Sequence, residues 1–148
     1  AAVIPRFIKA LLNGQSPVIY GDGETTRDFC YVDNVVEANL LAMKTDNPEA
    51  FGKVYNIGTG EQTSLNELFM LIKTSLINMY EGNGRLEDTL KLKLIEPKYA
   101  AFRKGDVRHS LACIEKCKKN LAYCPRVRLA TGIYYTCWNY YIDGDAKT

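Results

Sequence analysis

Hydrophobic residues recur at helical spacing in several parts of the chain. The first such stretch closes at Asn13-Gly14, residues that accept the left-handed backbone found at helix ends. The clearest pattern follows Ser64, which forms a capping box with Glu67 and begins a long helix with one apolar face. Two further helices are predicted later in the chain, over residues 114–121 and 129–141.

Another helix is predicted to begin after Asp33, because aspartate caps helix N-termini well. Apolar residues continue through Met43, and the pattern ends near Thr45. These apolar positions cover more than one narrow stripe of the helix surface. This distribution predicts a helix that is buried around much of its circumference.

Short apolar runs bounded by turn residues predict strands over residues 17–20, 29–32, 54–57 and 90–95. The third run leads through a glycine turn into the capped helix, and together they form half of a βαβ unit. No second unit follows to pair with this run, so it is an orphan strand. The fourth run alternates polar and apolar residues almost to its end, which is typical of a half-exposed strand. Together the patterns indicate an α/β protein.

The composition is that of an ordinary globular domain, with 47% hydrophobic and 24% charged residues in a chain of 148. This length suits one domain with its own core. The 19 basic and 17 acidic residues give a net charge of +2 without a long run of one sign. Such a balance argues against a general nucleic-acid or membrane-surface binder. No apolar run approaches the length of a membrane span, and no signal-peptide pattern is visible.

The five cysteines include no Cys-x-x-Cys pair, and their odd number favours reduced thiols in a cytosolic protein. Cys113 and Cys117 are spaced so that they could share one face of a helix. His109 is the only histidine in the sequence, which argues against a zinc site built from cysteine and histidine. We therefore expect no metal, and we expect the thiols to pack as small apolar groups.

Gly58-Thr59-Gly60 follows a predicted strand, which is where a dinucleotide-binding loop would lie. The full GxGxxG fingerprint needs a third glycine at the position of Thr63. The sequence therefore favours a plain turn between strand and helix over a phosphate-binding loop.

Two widely separated arginines, Arg27 and Arg103, each lie close to glycine and aspartate residues. The guanidinium fork is the side-chain group best shaped to bind phosphate oxygens. We therefore predict that the two arginines meet in space and grip a diphosphate. Each could instead form a surface ion pair, as Arg27 could with Asp28 or Glu24. Tyr20 could be either a core aromatic or a face on which a base stacks.

Four segments strongly resemble the extended short-chain dehydrogenase/reductase superfamily, which includes the NAD-dependent sugar-nucleotide epimerases and dehydratases. The segments are Pro-Val-Ile-Tyr-Gly-Asp-Gly at 17–23, Arg-Asp-Phe-Cys-Tyr-Val-Asp-Asn at 27–34, Val-Tyr-Asn-Ile-Gly at 54–58 and Arg-Lys-Gly-Asp-Val-Arg-His-Ser at 103–110. The second segment is most similar to the UDP-N-acetylglucosamine/UDP-glucose 4-epimerases. The resemblance extends from residue 1 to about residue 141.

The resemblance implies that five residues of this chain hold a UDP-sugar. Val18 and Tyr20 match positions where the backbone contacts uracil and an aromatic side chain flanks it. Arg27 and Arg103 match the two arginines that bind the diphosphate, and Asp106 matches an acid that accepts hydrogen bonds from the ribose hydroxyls. In such enzymes NAD takes hydride from C4 of the hexose and returns it to the other face. No catalytic, cofactor-binding or metal-binding residue is implied within this chain.

The resemblance also implies that residues 1–148 form a single C-terminal substrate-binding region of an extended Rossmann-type α/β fold. The glycine-rich NAD loop and the Tyr-x-x-x-Lys catalytic pair belong upstream in such enzymes, and no tyrosine here has lysine four residues later. The helix after residue 33 and the strand at 54–57 match elements that complete the NAD-binding sheet. We therefore expect the N-terminal NAD-binding domain to be absent and the isolated chain to be inactive. We expect the full-length enzyme to be a cytoplasmic homodimer.

Two alternatives to an epimerase remain open on the sequence. One is another chemistry of the family, either UDP-glucuronate decarboxylation or nucleotide-sugar 4,6-dehydration. The other is a non-catalytic remnant that binds nucleotide sugar or associates with another subunit. Two departures from the family pattern, Cys113 for aspartate and Ala122 for glycine, remove a helix cap and an easy left-handed residue. Both lie outside the implied contacts, so they affect stability more than binding.

Overall fold

The computed structural model describes residues 2–145, with side chains through residue 143. In chain order its elements are α1 (Val3–Leu12), β1 (Val18–Tyr20), β2 (Thr26–Arg27), α2 (Val32–Lys44), a 3₁₀ turn (Pro48–Ala50), β3 (Thr63–Ser64), α3 (Leu65–Gly82), α4 (Leu86–Lys93), β4 (Lys98–Ala100), α5 (Glu115–Leu121) and α6 (Leu129–Asp145). The chain divides into two compact units. The first unit comprises the described parts of Ala1–Thr25, Ser64–Arg108 and Ile133–Thr148, and the second comprises Thr26–Thr63 and His109–Gly132.

The core of the first unit forms around α3, whose capping box and apolar face are present as the sequence predicts. Its buried apolar residues include Leu68, Phe69, Ile72, Leu76 and Met79. α1 packs on α3, and the rings of Phe7 and Phe69 meet edge to face with their centroids 6.4 Å apart. Burial of each such side chain contributes about 1.5–3 kcal/mol. Gly14, just after α1, has the predicted left-handed backbone, with φ at 66°.

The strands β1 and β4 of the first unit form a two-stranded parallel sheet. In their register Val18 pairs with Lys98 and Tyr20 pairs with Ala100. β1 confirms the predicted strand at residues 17–20, whereas β4 is not among the predicted strands. The register places Tyr20 and Ala100 at the same edge of the sheet. The turn after Tyr20 and the loop after Ala100 therefore begin side by side.

The second unit packs α2, α5 and the 3₁₀ turn around a small core. That core consists of Ala38, Ala50, Ile114, Cys117, Leu121 and Tyr123. The side chain of Asn34 is buried beside it and donates to the carbonyl oxygen of Val127 at 2.8 Å. Its oxygen accepts from the backbone N–H groups of Arg126 and Val127, both at 3.0 Å. These three hydrogen bonds tie α2 to the segment that precedes α6.

α2 begins at Val32 with Tyr31 as its N-cap, and Asp33 lies in the first turn. The prediction that Asp33 is the cap is therefore wrong, because an acidic residue suits the first turn of a helix as well as its cap. The predicted strand at 29–32 is also wrong, since residues 29–31 have no strand pairing and residue 32 is helical.

The predicted burial around α2 is wrong for the chain described. Asn34 and Ala38 are the residues of this helix that are buried. Large apolar side chains remain exposed at Val32, Val35, Val36, Leu40 and Met43. The reason is that within its unit α2 is covered on the side where it contacts α5.

Residues 54–57, predicted as a strand, form no ladder within the described chain. The carbonyl oxygens of Val54 and Asn56 accept from the side chains of Lys116 and Cys117. Val54 itself is 84% exposed. A strand needs a partner that bonds its backbone groups, and here side chains of α5 bond two carbonyl oxygens of the segment.

The strand predicted at residues 90–95 is wrong, because most of that segment lies in α4. Thr89 and Leu92 are the buried residues of α4, whereas Leu90 and Leu94 are exposed. The buried pair has helical spacing, but the exposed leucines produce an apparent alternation in the sequence.

α5 (Glu115–Leu121) and α6 confirm the helices predicted near the end of the chain. Cys113 is exposed and precedes α5, whereas Cys117 is buried within it, so the suggested shared helix face is wrong. Ala122 ends α5 with φ at 54°. This is the left-handed conformation that the missing glycine would adopt without strain. Among residues 2–145 no helix is long and apolar enough to cross a membrane.

Candidate functional site

Tyr20 and Arg103 meet at the carboxyl edge of the β1–β4 sheet. Tyr20 ends β1, and Arg103 lies in the loop that follows β4. The guanidinium carbon of Arg103 is 3.6 Å from the centroid of the Tyr20 ring, which is a stacked cation–π contact. Arg6 of α1 lies farther from the same ring, at 5.7 Å. The structure therefore brings together two of the residues that the sequence predicts to hold a nucleotide.

The arginines around Tyr20 change its acidity. Arg103 lowers the pKa of the Tyr20 phenol below its usual 10.0, first by hydrogen bonding and then by its charge, and Arg6 adds to the effect. A nearby cation has this effect because it stabilises the phenolate. Two arginines thus lie near the Tyr20 ring, where their charge can attract an anionic ligand.

Asp106 lies on the same short turn as Arg103. Its backbone N–H donates to the carbonyl oxygen of Arg103 at 3.3 Å. Gly105 between them has φ at 88°, a left-handed value that favours glycine. The side chains of Arg103 and Asp106 are both exposed. The turn therefore presents to solvent a carboxylate and the cation that is stacked on Tyr20.

Val18 and Arg27 occupy different places in the chain. Val18 is half-buried at the start of β1, where it pairs with Lys98 of β4. Arg27 belongs to the second unit, where its Nη1 donates to the carbonyl oxygen of Thr26 at 2.7 Å. The meeting of Arg27 with Arg103 stays a prediction.

The acidic turn Gly21-Asp22-Gly23 is fixed by α3 and by the loop after β4. The ring of Phe102 lies against Gly21, whose φ of 87° and close approach leave no room for a side chain. The backbone N–H of Asn66, in the first turn of α3, donates to the carbonyl oxygen of Gly23 at 3.1 Å. The Asn66 side chain donates to the carbonyl oxygen of Asp22 at 3.2 Å. These contacts hold the turn at the carboxyl edge of the sheet.

Arg108 joins the end of the loop to the acidic turn. Its Nη2 lies 2.5 Å from Oδ2 of Asp22, and its guanidinium carbon lies 5.1 Å from the Phe102 ring centroid. The pKa of Asp22 is lowered, first by Arg108 and then by the backbone N–H of Glu24. Sequence reasoning missed Phe102, Arg108 and Asn66. Arg108 does lie inside the resembling segment at 103–110, whereas nothing in the sequence marks Asn66.

The glycine turn at residues 58–60 is occupied by a side chain of the protein. Asp28 Oδ1 accepts from the backbone N–H and the hydroxyl of Thr59, at 2.8 and 2.6 Å. Asp28 Oδ2 accepts from the backbone N–H of Gly60 at 3.0 Å. The carboxylate thus takes the N–H groups that a phosphate would need, as expected for a plain turn. Within residues 2–145 no cluster of three or more His, Cys, Asp or Glu side chains could hold a metal ion.

The sequence family described as GDP-mannose 4,6 dehydratase matches residues 1–136 of this chain. The chain belongs to this family. The resemblance to the sugar-nucleotide epimerases and dehydratases is thereby confirmed.

Relatives within this family include proteins of assigned activity. A UDP-glucose 4-epimerase of Mycolicibacterium smegmatis is 35% identical over 136 residues, which cover 92% of this chain and 38% of the relative. The structure of a UDP-glucose 4-epimerase from Thermotoga maritima with UDP-glucose is 38% identical, with a TM-score of 0.78, and the match covers 97% of this chain and 40% of that one. A UDP-glucuronic acid 4-epimerase from Bacillus cereus, in complex with UDP-glucuronic acid and NAD, is 28% identical with a TM-score of 0.71 over 95% of this chain and 40% of that one.

These matches place the described elements in the C-terminal portion of the family fold, which confirms the predicted α/β class. This family member spans less than half the length of the relatives that it matches. The Tyr20–Arg103 edge therefore lies within a portion of the fold that the family shares.

Proposed function

We propose that this chain is the UDP-sugar-binding portion of an NAD-dependent 4-epimerase that acts on UDP-N-acetylglucosamine or UDP-glucose. Similar solved structures support the proposal, because they include a 4-epimerase with UDP-glucose and another with UDP-glucuronic acid. The observation that carries it is the stack of Arg103 on Tyr20. This stack lies outside the carboxyl ends of β1 and β4, which is where α/β sheets bind ligands.

In the proposed complex, Arg103 and Arg27 hold the diphosphate through charge-assisted hydrogen bonds. Asp106 accepts hydrogen bonds from the ribose hydroxyls. Tyr20 and the backbone at Val18 flank the uracil. A firm grip on the nucleotide suits an epimerase, because the sugar must turn over between two hydride transfers while the UDP stays in place.

NAD is the proposed cofactor, held by an N-terminal Rossmann domain, and it would supply the hydride acceptor and donor for C4 of the sugar. The relative from Bacillus cereus in complex with NAD supports this cofactor. The glycine turn at 58–60 does not fit a dinucleotide phosphate, because Asp28 already accepts from the N–H groups of Thr59 and Gly60. A homodimer of the full-length enzyme is part of the same proposal.

We also propose that residues 1–148 form a single C-terminal region of a longer enzyme. The share of the Thermotoga maritima enzyme that the chain covers, 40%, supports this arrangement. Sequencing the gene upstream of the Ala1 codon tests it. We expect an in-frame glycine-rich NAD loop and a Tyr-x-x-x-Lys pair. An in-frame extension without either feature would contradict the proposal.

Calorimetric titration of the chain with UDP tests the nucleotide grip. We expect the wild-type chain to bind and Arg103→Ala to weaken binding by about 10- to 100-fold, because a charge-assisted contact is lost. Lys93→Ala is the control, since Lys93 pairs with Glu81 in the same unit. Circular dichroism verifies that each variant is folded. A folded wild-type chain that does not bind UDP would refute the proposed function.

A nucleotide-sugar 4,6-dehydratase is the second candidate, and the description of the matching family favours it. The two reactions leave different products. An epimerase converts UDP-N-acetylglucosamine to its C4 isomer at unchanged mass, whereas a dehydratase removes one water. Chromatography and mass spectrometry of the products of the full-length enzyme therefore separate the two candidates.

A further inference from the structure

The loop that carries Arg103 and Asp106 is anchored at both ends to one turn. At its beginning, Phe102 lies against Gly21. At its end, Arg108 Nη2 lies 2.5 Å from Oδ2 of Asp22. Arg108 also lies over the Phe102 ring, at 5.1 Å from the centroid, so the two anchors contact each other. Residues 103–107 therefore connect two anchored residues, Phe102 and Arg108, whose contacts are with the adjacent residues Gly21 and Asp22.

We propose that the Asp22–Arg108 ion pair is a positioning device that holds residues 103–107 ready for the nucleotide. The inference rests on the proposed function, which assigns Arg103 and Asp106 to the diphosphate and the ribose. A short loop with both ends fixed has fewer conformations to lose when a ligand binds. Such preorganisation strengthens binding without a new contact to the ligand.

Asp22, the residue to which the end of the loop is anchored, is itself held by hydrogen bonds. Asn66 of α3 donates to the carbonyl oxygens of Asp22 and Gly23. The Asp22 carboxylate is also oriented, because Oδ1 accepts from the backbone N–H of Glu24 at 2.9 Å while Oδ2 faces Arg108. The loop is therefore tied, through Asp22, to the N-terminus of the largest helix in its unit.

A direct contact between Arg108 and the diphosphate would have the opposite signature. If Arg108 bound phosphate, Asp22 would compete with the ligand for that cation. Removing the charge of Asp22 would then strengthen UDP binding. If Arg108 instead positions the loop, removing the charge of either partner weakens UDP binding.

The test compares UDP affinity in Asp22→Asn, Arg108→Gln and the double variant by calorimetry. Asp22→Asn keeps an oxygen for the Glu24 N–H and removes the charge. We expect each variant to lose about two- to fivefold in affinity, and the double variant to lose no more than either single one, because both remove the same pair.

The Glu81–Lys93 pair offers a matched control. Its side chains are 45% and 49% exposed, against 45% and 47% for Asp22 and Arg108. Glu81→Gln should leave UDP affinity unchanged. The reversed pair, Asp22→Arg with Arg108→Asp, should recover part of the affinity, which separates an ion pair from a general loss of structure.

A second measurement follows the loop without ligand. The Asp106 amide, which donates to Arg103, should exchange its hydrogen faster in Asp22→Asn and Arg108→Gln than in Glu81→Gln. Unchanged affinity and exchange in a UDP-binding protein overturn this inference and leave the proposed function intact. Stronger UDP binding by Asp22→Asn overturns it in favour of direct contact. A wild-type chain that does not bind UDP overturns the proposed function and this inference with it.

Discussion

The guanidinium group of Arg103 is stacked on the ring of Tyr20, with 3.6 Å between the guanidinium carbon and the ring centroid. This contact lowers the pKa of the Tyr20 phenol, because the cation favours the phenolate. In the proposed complex the backbone of the loop stays anchored while the Arg103 guanidinium group turns to the diphosphate, so UDP should draw that group away from the Tyr20 ring. We therefore expect UDP to raise the pKa of Tyr20 toward its usual value.

NMR titration of tyrosines labelled at Cζ measures this change, with Tyr20→Phe to assign the signal. Arg103→Ala should raise the pKa of Tyr20 in the absence of UDP. In that variant UDP should have little further effect. A pKa of Tyr20 that falls when UDP binds to the wild-type chain would contradict the movement of Arg103 from the Tyr20 ring to the diphosphate.

Asn34→Ala should lower the free energy of unfolding by about 2–4 kcal/mol, because it removes a buried side chain and its three hydrogen bonds to the backbone of Arg126 and Val127. Asn39 lies on the same helix but is exposed. Asn39→Ala should change stability by less than about 0.5 kcal/mol. Urea denaturation of both variants measures the difference, and equal effects would contradict the role given to Asn34.

Ala122→Gly should stabilise the chain by about 0.5–1 kcal/mol. The residue has φ at 54°, where an alanine is strained, and its side chain is exposed, so little burial is lost. The greater freedom of glycine in the unfolded chain offsets part of the gain. Ala10→Gly, inside α1, is the control and should destabilise by about 0.5–1 kcal/mol. If thermal or urea unfolding shows that Ala122→Gly is less stable than the wild type, the backbone strain assigned to Ala122 is refuted.

Ser64→Ala should cost about 1 kcal/mol of stability at pH 7, since it removes the cap of α3. The backbone N–H and the hydroxyl of Ser64 lower the pKa of Glu67 below its usual 4.5. A lowered pKa means that this stabilisation is complete above the unfolded value and is lost as the pH falls through the folded value.

The stability difference between wild type and Glu67→Gln should therefore shrink below about pH 4.5. Denaturant unfolding at several pH values measures it. Because both proteins are measured at each pH, general acid effects that they share cancel in the difference. A difference that grows on acidification would contradict the sign of the shift.

The five thiols should separate by reactivity. Cys113 and Cys124 are exposed and should be alkylated first by iodoacetamide. Burial raises the pKa of Cys137 to about 12, so its thiolate is scarce at pH 8. Desolvation also raises the pKa values of Cys30 and Cys117. Peptide mass spectrometry over time gives the order, and early alkylation of Cys137 would contradict its burial.

The sequence predicts α3 well because its capping box and apolar face are local properties that agree with its packing. α4 is predicted poorly because its exposed leucines alternate with Leu92, and only tertiary packing shows which side is buried. β4 escapes prediction because Lys98, Tyr99 and Ala100 form a strand through pairing with β1 rather than through an apolar pattern.

In the candidate site, too, some residues can be predicted from the sequence and others depend on tertiary contacts. Tyr20, Arg103 and Asp106 are accessible to sequence reasoning because they lie in segments that resemble a known family. Asn66 and Phe102 act through contacts with the backbone of Gly21 and Asp22, and such contacts do not depend on a recognisable side-chain motif. The sequence therefore suggests which residues touch a ligand, whereas the structure shows what supports them.

The register of the parallel sheet has a consequence for biosynthesis. Val18 pairs with Lys98, so β1 is made long before the strand that completes it. At about 5–20 residues per second, the ribosome needs roughly 4–16 seconds to reach that partner. Pairing two strands that are so far apart in the sequence also slows folding. The nascent chain can thus form α1 and most of α3 early, while the proposed nucleotide-binding surface must assemble among the last parts of its unit.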